Sequence, residues 1–446
     1  MKVLPHRNAL WLVGAAAAVL LCALPFAAIT LLLRAVIGLV LLLLLAGAAD
    51  LLLSARAWRR SLPQLQRVLP QAFAIGVRQT VGIQLTVAGH LPWRLQCIDH
   101  GAAILGASRT PMHFVALPQA VTSVNYRVQP IARGGAWFEP AELRVATRWR
   151  LGWMQCRLGA REFRRVYPDF AQMARYAWLS GDRRLAEMGI KNWQRRGLGT
   201  DFKQLTEYRP GDELRRIDWK ATLRSPRIIV REYQDECDQQ VVLLLDCGRR
   251  MRAAEQETHS HFDAVLNAVV LLSYVALKQG DAVGVQTFAV PPGSERFLTP
   301  GKGTHALNHL MTALYDLQPT LAQPDYLAAA TAFMRRQQRR ALVVLVTNFR
   351  DEDSDELQQA LKLLRTRHLV MLASLREQVL RQMTLQPMDT AAATLQVAGA
   401  HLFEQGRTQA FRRLAARDAL MVDAEPAALG VELVNRYQAA KRAGVI

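Results

Sequence analysis

Acidic residues are scarce in this sequence: 37 Asp and Glu stand against 56 Lys and Arg over 446 residues, a formal charge of +19. The excess is arginine spread along the whole chain and not one lysine-rich tail, which argues against a nucleic-acid arm. It fits an anionic membrane surface or an acidic partner. Cysteine is scarcer still. Cys22, Cys97, Cys156, Cys237 and Cys247 are odd in number and include no C-x-x-C, which argues against a disulfide framework and a zinc site. They read as small buried hydrophobes in a reducing compartment. Catalytic signatures are missing as well. There is no Ser-His-Asp order and no H-E-x-x-H, and "GKGT" at Gly301 has Arg296 where a P-loop needs its first glycine.

What is present begins with two long apolar runs, about residues 9–33 and 35–53, separated by Arg34. Each is near the ~20 residues that span a bilayer core. Lys2 and Arg7 precede a small-residue stretch, "CALPFAA", so a cleavable signal peptide is the alternative. The second run directly behind the first favours a transmembrane hairpin over residues 1–60. Lys2 and Arg7 at one end, with Arg56, Arg59 and Arg60 at the other, place both ends in the cytoplasm by the positive-inside rule.

From about residue 65 to 165 the period changes to two. "VGIQLTVAG", "WRLQCIDH" and "TSVNYRVQPIARGGAWFEPAELRVATRW" alternate apolar and polar residues between Pro and Gly punctuation, the pattern of an antiparallel β-sandwich-like module. Its histidines, His90, His100 and His113, are not spaced as metal ligands. Residues 166–238 read as a linker and a distinctive segment containing "GDELRRIDW". Over residues 239–446, unbroken strands such as "QVVLLLD", "DAVGVQTFA" and "ALVVLVTNF" alternate with helical patterns, which predicts a doubly wound parallel α/β sheet. Ligands of such sheets sit at the C-terminal ends of the strands. That directs attention to Asp246, Thr304 and Asn348. A phosphatase of the haloacid dehalogenase type would need a second Asp at the position of Gly248.

These residues carry a family resemblance. "YRPGDELRRIDWKATLR", the basic strand after it, "VVLLLDCGRRM", the closing "YQAAKRAG", the "RGG" at Arg133 and the "VYP" at Val166 resemble the bacterial family known as domain of unknown function 58. The C-terminal part of that family resembles a von Willebrand factor type A domain. The resemblance implies a bacterial inner-membrane protein, a protein-interaction module that works with a MoxR-type AAA ATPase and has no established catalytic activity. Type A domains hold a divalent cation through D-x-S-x-S on one loop, a Thr on a second and an Asp on a third. Here Asp246 and Thr304 match, whereas Gly248 and Arg250 replace the serines and Asn348 replaces the acid. Two oxygens and one negative charge are gone and a guanidinium has arrived, so no cofactor is expected. Asp246 is open to two roles, a ligand or the cap of a turn.

In the distinctive segment Pro210-Gly211 makes a turn and Asp212 is placed to cap a helix over "ELRRIDW". Trp219 offers an apolar anchor. Asp218 is spaced to pair with Arg215 or with Arg224. No His, Cys or Ser stands beside these acids for them to activate, so the expectation is a buried arginine–carboxylate clasp tying the segment to the α/β domain. Two functions remain: a membrane-anchored scaffold whose strand-end face binds a protein, and a metal- or Asp246-dependent hydrolase.

Overall fold

The computed structural model describes residues 2–23, 29–106, 111–168, 201–209, 214–234, 239–256, 259–415 and 420–445. The chain divides into two compact units, Met1–Tyr167 and Pro168–Ile446.

The first unit opens with a short strand, β1 (Lys2–Pro5), then helices α1 (Arg7–Ala23) and α2 (Ile29–Arg60). Between Val36 and Arg60, α2 contains an 18-residue stretch with a mean hydropathy of 2.7 of which only 6% is buried, so it is long and apolar enough to cross a membrane. The helices do not divide where the sequence suggests. Arg34 lies within α2, because arginine is a good helix former and one exposed charge does not break an apolar helix. The boundary falls between Ala23 and Ile29 instead. The second helix also runs beyond Leu53, the expected end, because its last turns pack on the β-module. Trp58 is buried there, edge-on to Trp93 with ring centroids 5.3 Å apart.

The module comprises β2 (Gln64–Val68), β3 (Phe73–Ala74), β4 (Gln79–Thr86), β5 (Trp93–Gly101), β6 (Met112–Ala116), β7 (Val121–Val128), β8 (Gly134–Ala146), β9 (Gly152–Leu158) and β10 (Glu162–Tyr167). One sheet runs β2-β4-β7. The other carries β1-β9-β8-β10-β3 with β5 and β6 joined to β8. Pairing is antiparallel except between β10 and β3. Alternation turns Leu65, Ile83 and Leu85 of the first sheet and Leu95, Leu143, Val145 and Met154 of the second into one shared core. Inside it lies a buried ion pair. Nη2 of Arg67 donates to Oδ1 of Asp99 at 2.7 Å, and the Tyr126 hydroxyl donates to Oδ2 at 2.7 Å. Such a pair is tolerated in a core because several donors share the carboxylate.

The second unit starts with an antiparallel pair, β11 (Asp201–Glu207) and β12 (Ile229–Gln234). The main sheet uses β13 (Gln240–Asp246), and a minor pair follows, β14 (Ala254–Gln256) with β15 (His259–Ser260). Then come β16 (Ala282–Phe288), β17 (Phe297–Gly301), β18 (Leu342–Thr347), β19 (Leu369–Leu375) and β20 (Leu420–Ala424). The order is β17-β16-β13-β18-β19-β20, parallel throughout except for β17. Strands buried on both faces need helices on both faces. Val241, Leu243 and Leu245 of β13 face the helices His261–Lys278 and Leu429–Arg442, while Val242 and Leu244 face Tyr326–Arg336 and Ser354–Arg365. The sheet is therefore doubly wound, as its strand pattern predicts. His261–Lys278 is apolar enough to cross a membrane by composition, yet it is 72% buried as the central core helix. Its start is fixed by a capping box between Ser260 and Asp263. The closing "YQAAKRAG" has a structural explanation: the Tyr437 hydroxyl and Lys441 Nζ both donate to fully buried Asp281, the lysine at 2.7 Å.

Candidate functional site at the strand ends

Asp246 ends β13 and is completely buried. Its Oδ1 accepts from the Gly248 backbone N–H at 2.7 Å and its Oδ2 from the Thr347 hydroxyl at 2.6 Å. Thr347, the last residue of β18, is in turn bonded to the Tyr326 hydroxyl at 2.9 Å. Burial pushes the Asp246 carboxyl above the usual carboxylate range, while the Thr347 and Gly248 bonds and the charge of Arg250 oppose the shift. Gly248 is held closely: a Cβ there would lie 2.9 Å from the Ala322 carbonyl oxygen. Any side chain would push the 320–325 loop away.

Arg250 points inward. Its guanidinium is buried and gripped by Asp353 and Glu352, with one bond to Asp353 Oδ1 of 3.1 Å. The positive charge that replaces the second loop hydroxyl is thus neutralised within the chain and is not offered to a partner. Asn348 is buried as well, and its amide donates to Glu377 Oε1 at 2.8 Å. Next to it Arg407, from the helix Ala391–Ala415, stitches three strand ends together. It donates to the Phe349 and Leu375 carbonyls, to Ser374 Oγ, and to both carboxylate oxygens of Asp423. The cavity between Asn348, Arg350, Glu377, Phe403 and Arg407 is about 10 Å³, room for about one water.

Thr304 does not join this site. The pairing of Gly301 with Val283, near the start of β16, puts the following Thr304 at the opposite end of the sheet from Asp246, which pairs with Phe288. An antiparallel edge strand returns the chain to the wrong end. The loop threonine that reaches the strand ends is Thr320: its N–H donates to the Cys247 carbonyl at 2.7 Å and its hydroxyl to Ala289 O at 2.6 Å. Sequence reading also missed Thr347, Asp353 and Arg407. Thr347 was findable as the last residue of a buried strand beside the one ending in Asp246; the other two carry no local signal. Among the described residues no group of three or more His, Cys, Asp or Glu could hold a metal ion.

The "GDELRRIDW" segment is built differently from the buried clasp expected. Gly211 and Asp212 lie outside the described residues. Leu214–Arg216 forms a single 3-10 turn, and it is Asp218 that caps a helix, Trp219–Thr222, through the Ala221 N–H at 3.0 Å. Its ion-pair partner is neither Arg215 nor Arg224 but Arg231 on β12, at 2.9 Å, with half of the arginine side chain exposed. The Ala221 N–H first, and Arg231 second, hold the Asp218 carboxyl below its usual range. Trp219 is 66% exposed and Leu223 87%. Among the described residues β11 and β12 form a sheet of their own, and two strands alone cover little apolar surface.

The site is thus a doubly wound sheet whose strand-end acid and arginine are closed off by internal bonds. Residues 204–401 match the family model described as "Protein of unknown function DUF58". No curated protein matches the chain. Among solved structures, the CARDB domain of a Pyrococcus furiosus protein is similar over 23% of this chain and 93% of its own, at 8% identity and a TM-score of 0.17. Proximal thread matrix protein 1 of the mussel byssus is similar over 45% of this chain and 46% of its own, at 9% identity and a TM-score of 0.28.

Proposed function

We propose that the chain is a membrane-anchored protein-interaction scaffold of the bacterial inner membrane, without catalytic activity of its own, that works with a MoxR-type AAA ATPase. One observation carries the reading: both carboxylate oxygens of Asp246 are taken by internal donors and Arg250 is paired with Asp353, so neither the strand-end acid nor the arginine beside it is free to act on a ligand. The fold agrees with it. One antiparallel edge strand on an otherwise parallel, doubly wound sheet, with an Asp ending its first strand, supports a von Willebrand factor type A-like domain. The anchor is supported by connectivity. β1 precedes α1 and pairs with β9, and α2 delivers the chain to the same module. A chain that leaves through α1 and returns through α2 makes a hairpin with both ends on one side. The arginine flanks make that side cytoplasmic.

The test is crosslinking of the full chain in its native membrane, detergent solubilisation, capture and mass spectrometry. Enrichment of a MoxR-type ATPase, retained with Asp246→Asn, is the expected result. Hydrolytic turnover of a phosphoester or peptide by the purified chain, abolished by Asp246→Asn, would replace the scaffold with a hydrolase.

A further inference from the structure

The turn between β8 and β9 is clamped from both helices of the first unit. At the start of α1, the His6 N–H donates to the Leu151 carbonyl at 3.0 Å. Near the end of α2, Asp50 Oδ1 accepts from the Trp149 N–H at 3.1 Å, and Ser54 Oγ accepts from the Arg148 N–H at 2.9 Å. The Thr147 hydroxyl ties the turn from within, accepting from the N–H groups of Leu151 and Gly152. Arg150 sits in the left-handed region at φ 56, a conformation this bonding holds in place. A short turn is thereby fixed where the two apolar helices meet the β-module.

The clamp leaves three arginines facing one cleft. A hollow of about 420 Å³ beside the turn is lined by Arg94, Arg148 and Arg150 with Leu91, Trp93 and Val115, and no Asp or Glu is among the described residues that line it. All three arginines are exposed, and none makes an ion pair among the described residues. Asp50, the carboxylate at the clamp, is buried and does not line the cleft. Trp149, between the two turn arginines, is 55% exposed. Burial first, and the charges of Arg150 and Arg7 next, hold the His6 imidazole below its usual range and so favour its neutral form.

Position selects the ligand. From Ile29 to Ala49, α2 rises about 30 Å at ~1.5 Å per residue, which matches the ~30 Å hydrocarbon core of a bilayer, with Arg34 near its far end, where a long basic side chain reaches the interface. Asp50 and the turn it holds then lie at the headgroup level, where tryptophan is favoured and arginine meets phosphate. We propose that this cleft binds the phosphate headgroup of an anionic glycerophospholipid, with Arg94, Arg148 and Arg150 as the phosphate donors and Trp149 and Leu91 against the glycerol and acyl region. This rests on the reading of α1 and α2 as a membrane anchor.

The experiment uses the full chain in mild detergent. Thermal unfolding is followed while short-chain phosphatidylglycerol, phosphatidylcholine, glycerol 3-phosphate or inorganic phosphate is added. Phosphatidylglycerol is expected to raise the midpoint saturably and the other three to do little. In an Arg148→Gln/Arg150→Gln variant the phosphatidylglycerol concentration needed should rise roughly ten- to thirty-fold, while Arg339→Gln in the other unit leaves it unchanged. The lipid-free midpoint of the double variant controls for folding. Equal effects of the two lipids, or an undiminished response in the double variant, would overturn the site. An equal shift with inorganic phosphate would make it a soluble-anion site and overturn the lipid assignment. Carbonate extraction of native membranes separates the two readings: release of the chain removes the anchor, whereas retention without lipid preference removes only the headgroup site.

Discussion

The Thr347 hydroxyl donates to Asp246 Oδ2 at 2.6 Å, across two adjacent parallel strands and fully withdrawn from water. Two strand ends are joined by this bond at the position where a sheet of this kind would otherwise open toward a ligand. Thr347→Val removes the donor from a buried carboxylate and is expected to cost about 1–3 kcal/mol in urea unfolding. Thr347→Ser keeps the donor and should cost markedly less. Equal losses in the two variants would assign the effect to packing and not to the bond.

The pH dependence of stability has a defined sign. Burial raises the folded Asp246 carboxyl above its ordinary value of 3.8, so the folded state binds that proton more tightly than the unfolded one. This contribution is complete below the ordinary value and is lost as pH rises through the folded one. Asp246→Asn is neutral throughout. Its stability should therefore gain on that of the wild type as pH rises from about 4 to about 8, read from paired urea midpoints. A gap that stays constant or moves the other way would contradict the buried, raised carboxyl.

Removing one partner of a buried ion pair leaves an uncompensated charge. Asp353→Ala leaves the buried Arg250 guanidinium with only the largely exposed Glu352, and Asp99→Ala leaves Arg67 in the β-module with only Glu162 at 3.8 Å. Each is expected to destabilise its own unit by about 3–5 kcal/mol. Asp218→Ala acts on a pair whose arginine is half exposed, and it should leave the global unfolding midpoint unchanged. A loss with Asp218→Ala as large as with Asp99→Ala would restore the buried clasp.

Magnesium or manganese titrated into the full chain by calorimetry is expected to give no stoichiometric binding. The internal donors already occupy Asp246 and the Arg250 charge lies close by. Binding tighter than about millimolar, the range of the weakest protein calcium sites, that disappears with Asp246→Ala would reinstate a metal-dependent adhesion site.

Cys97 is fully buried on β5, and burial first, with the Asp99 charge second, pushes its thiol up to about 12. Near pH 8 it is overwhelmingly the unreactive thiol. Iodoacetamide should leave it unmodified in the folded chain and label it promptly in urea, read by peptide mass spectrometry. Prompt labelling of the folded chain would show that the core around β5 opens.

The sequence by itself determined the element types. Two apolar runs, a period-two stretch and buried β-branched strands alternating with helices are local patterns set by the spacing of side chains, and they survive in α1 and α2, the β-module and the doubly wound sheet. It also singled out Asp246, because an acid closing a strand of leucine and valine stands out without any alignment. Only the tertiary structure decided what surrounds that acid. Asp353 and Arg407 lie 103 and 161 positions from Arg250 and Asp246, and no local pattern relates residues so far apart. The antiparallel return of β17 carries Thr304 to the far end of the sheet, where composition near "GKGT" gives no sign of direction. Burial of Trp219 likewise depends on whether a second layer covers the β11–β12 ribbon. An aromatic side chain is anchored only when the fold supplies a surface to receive it.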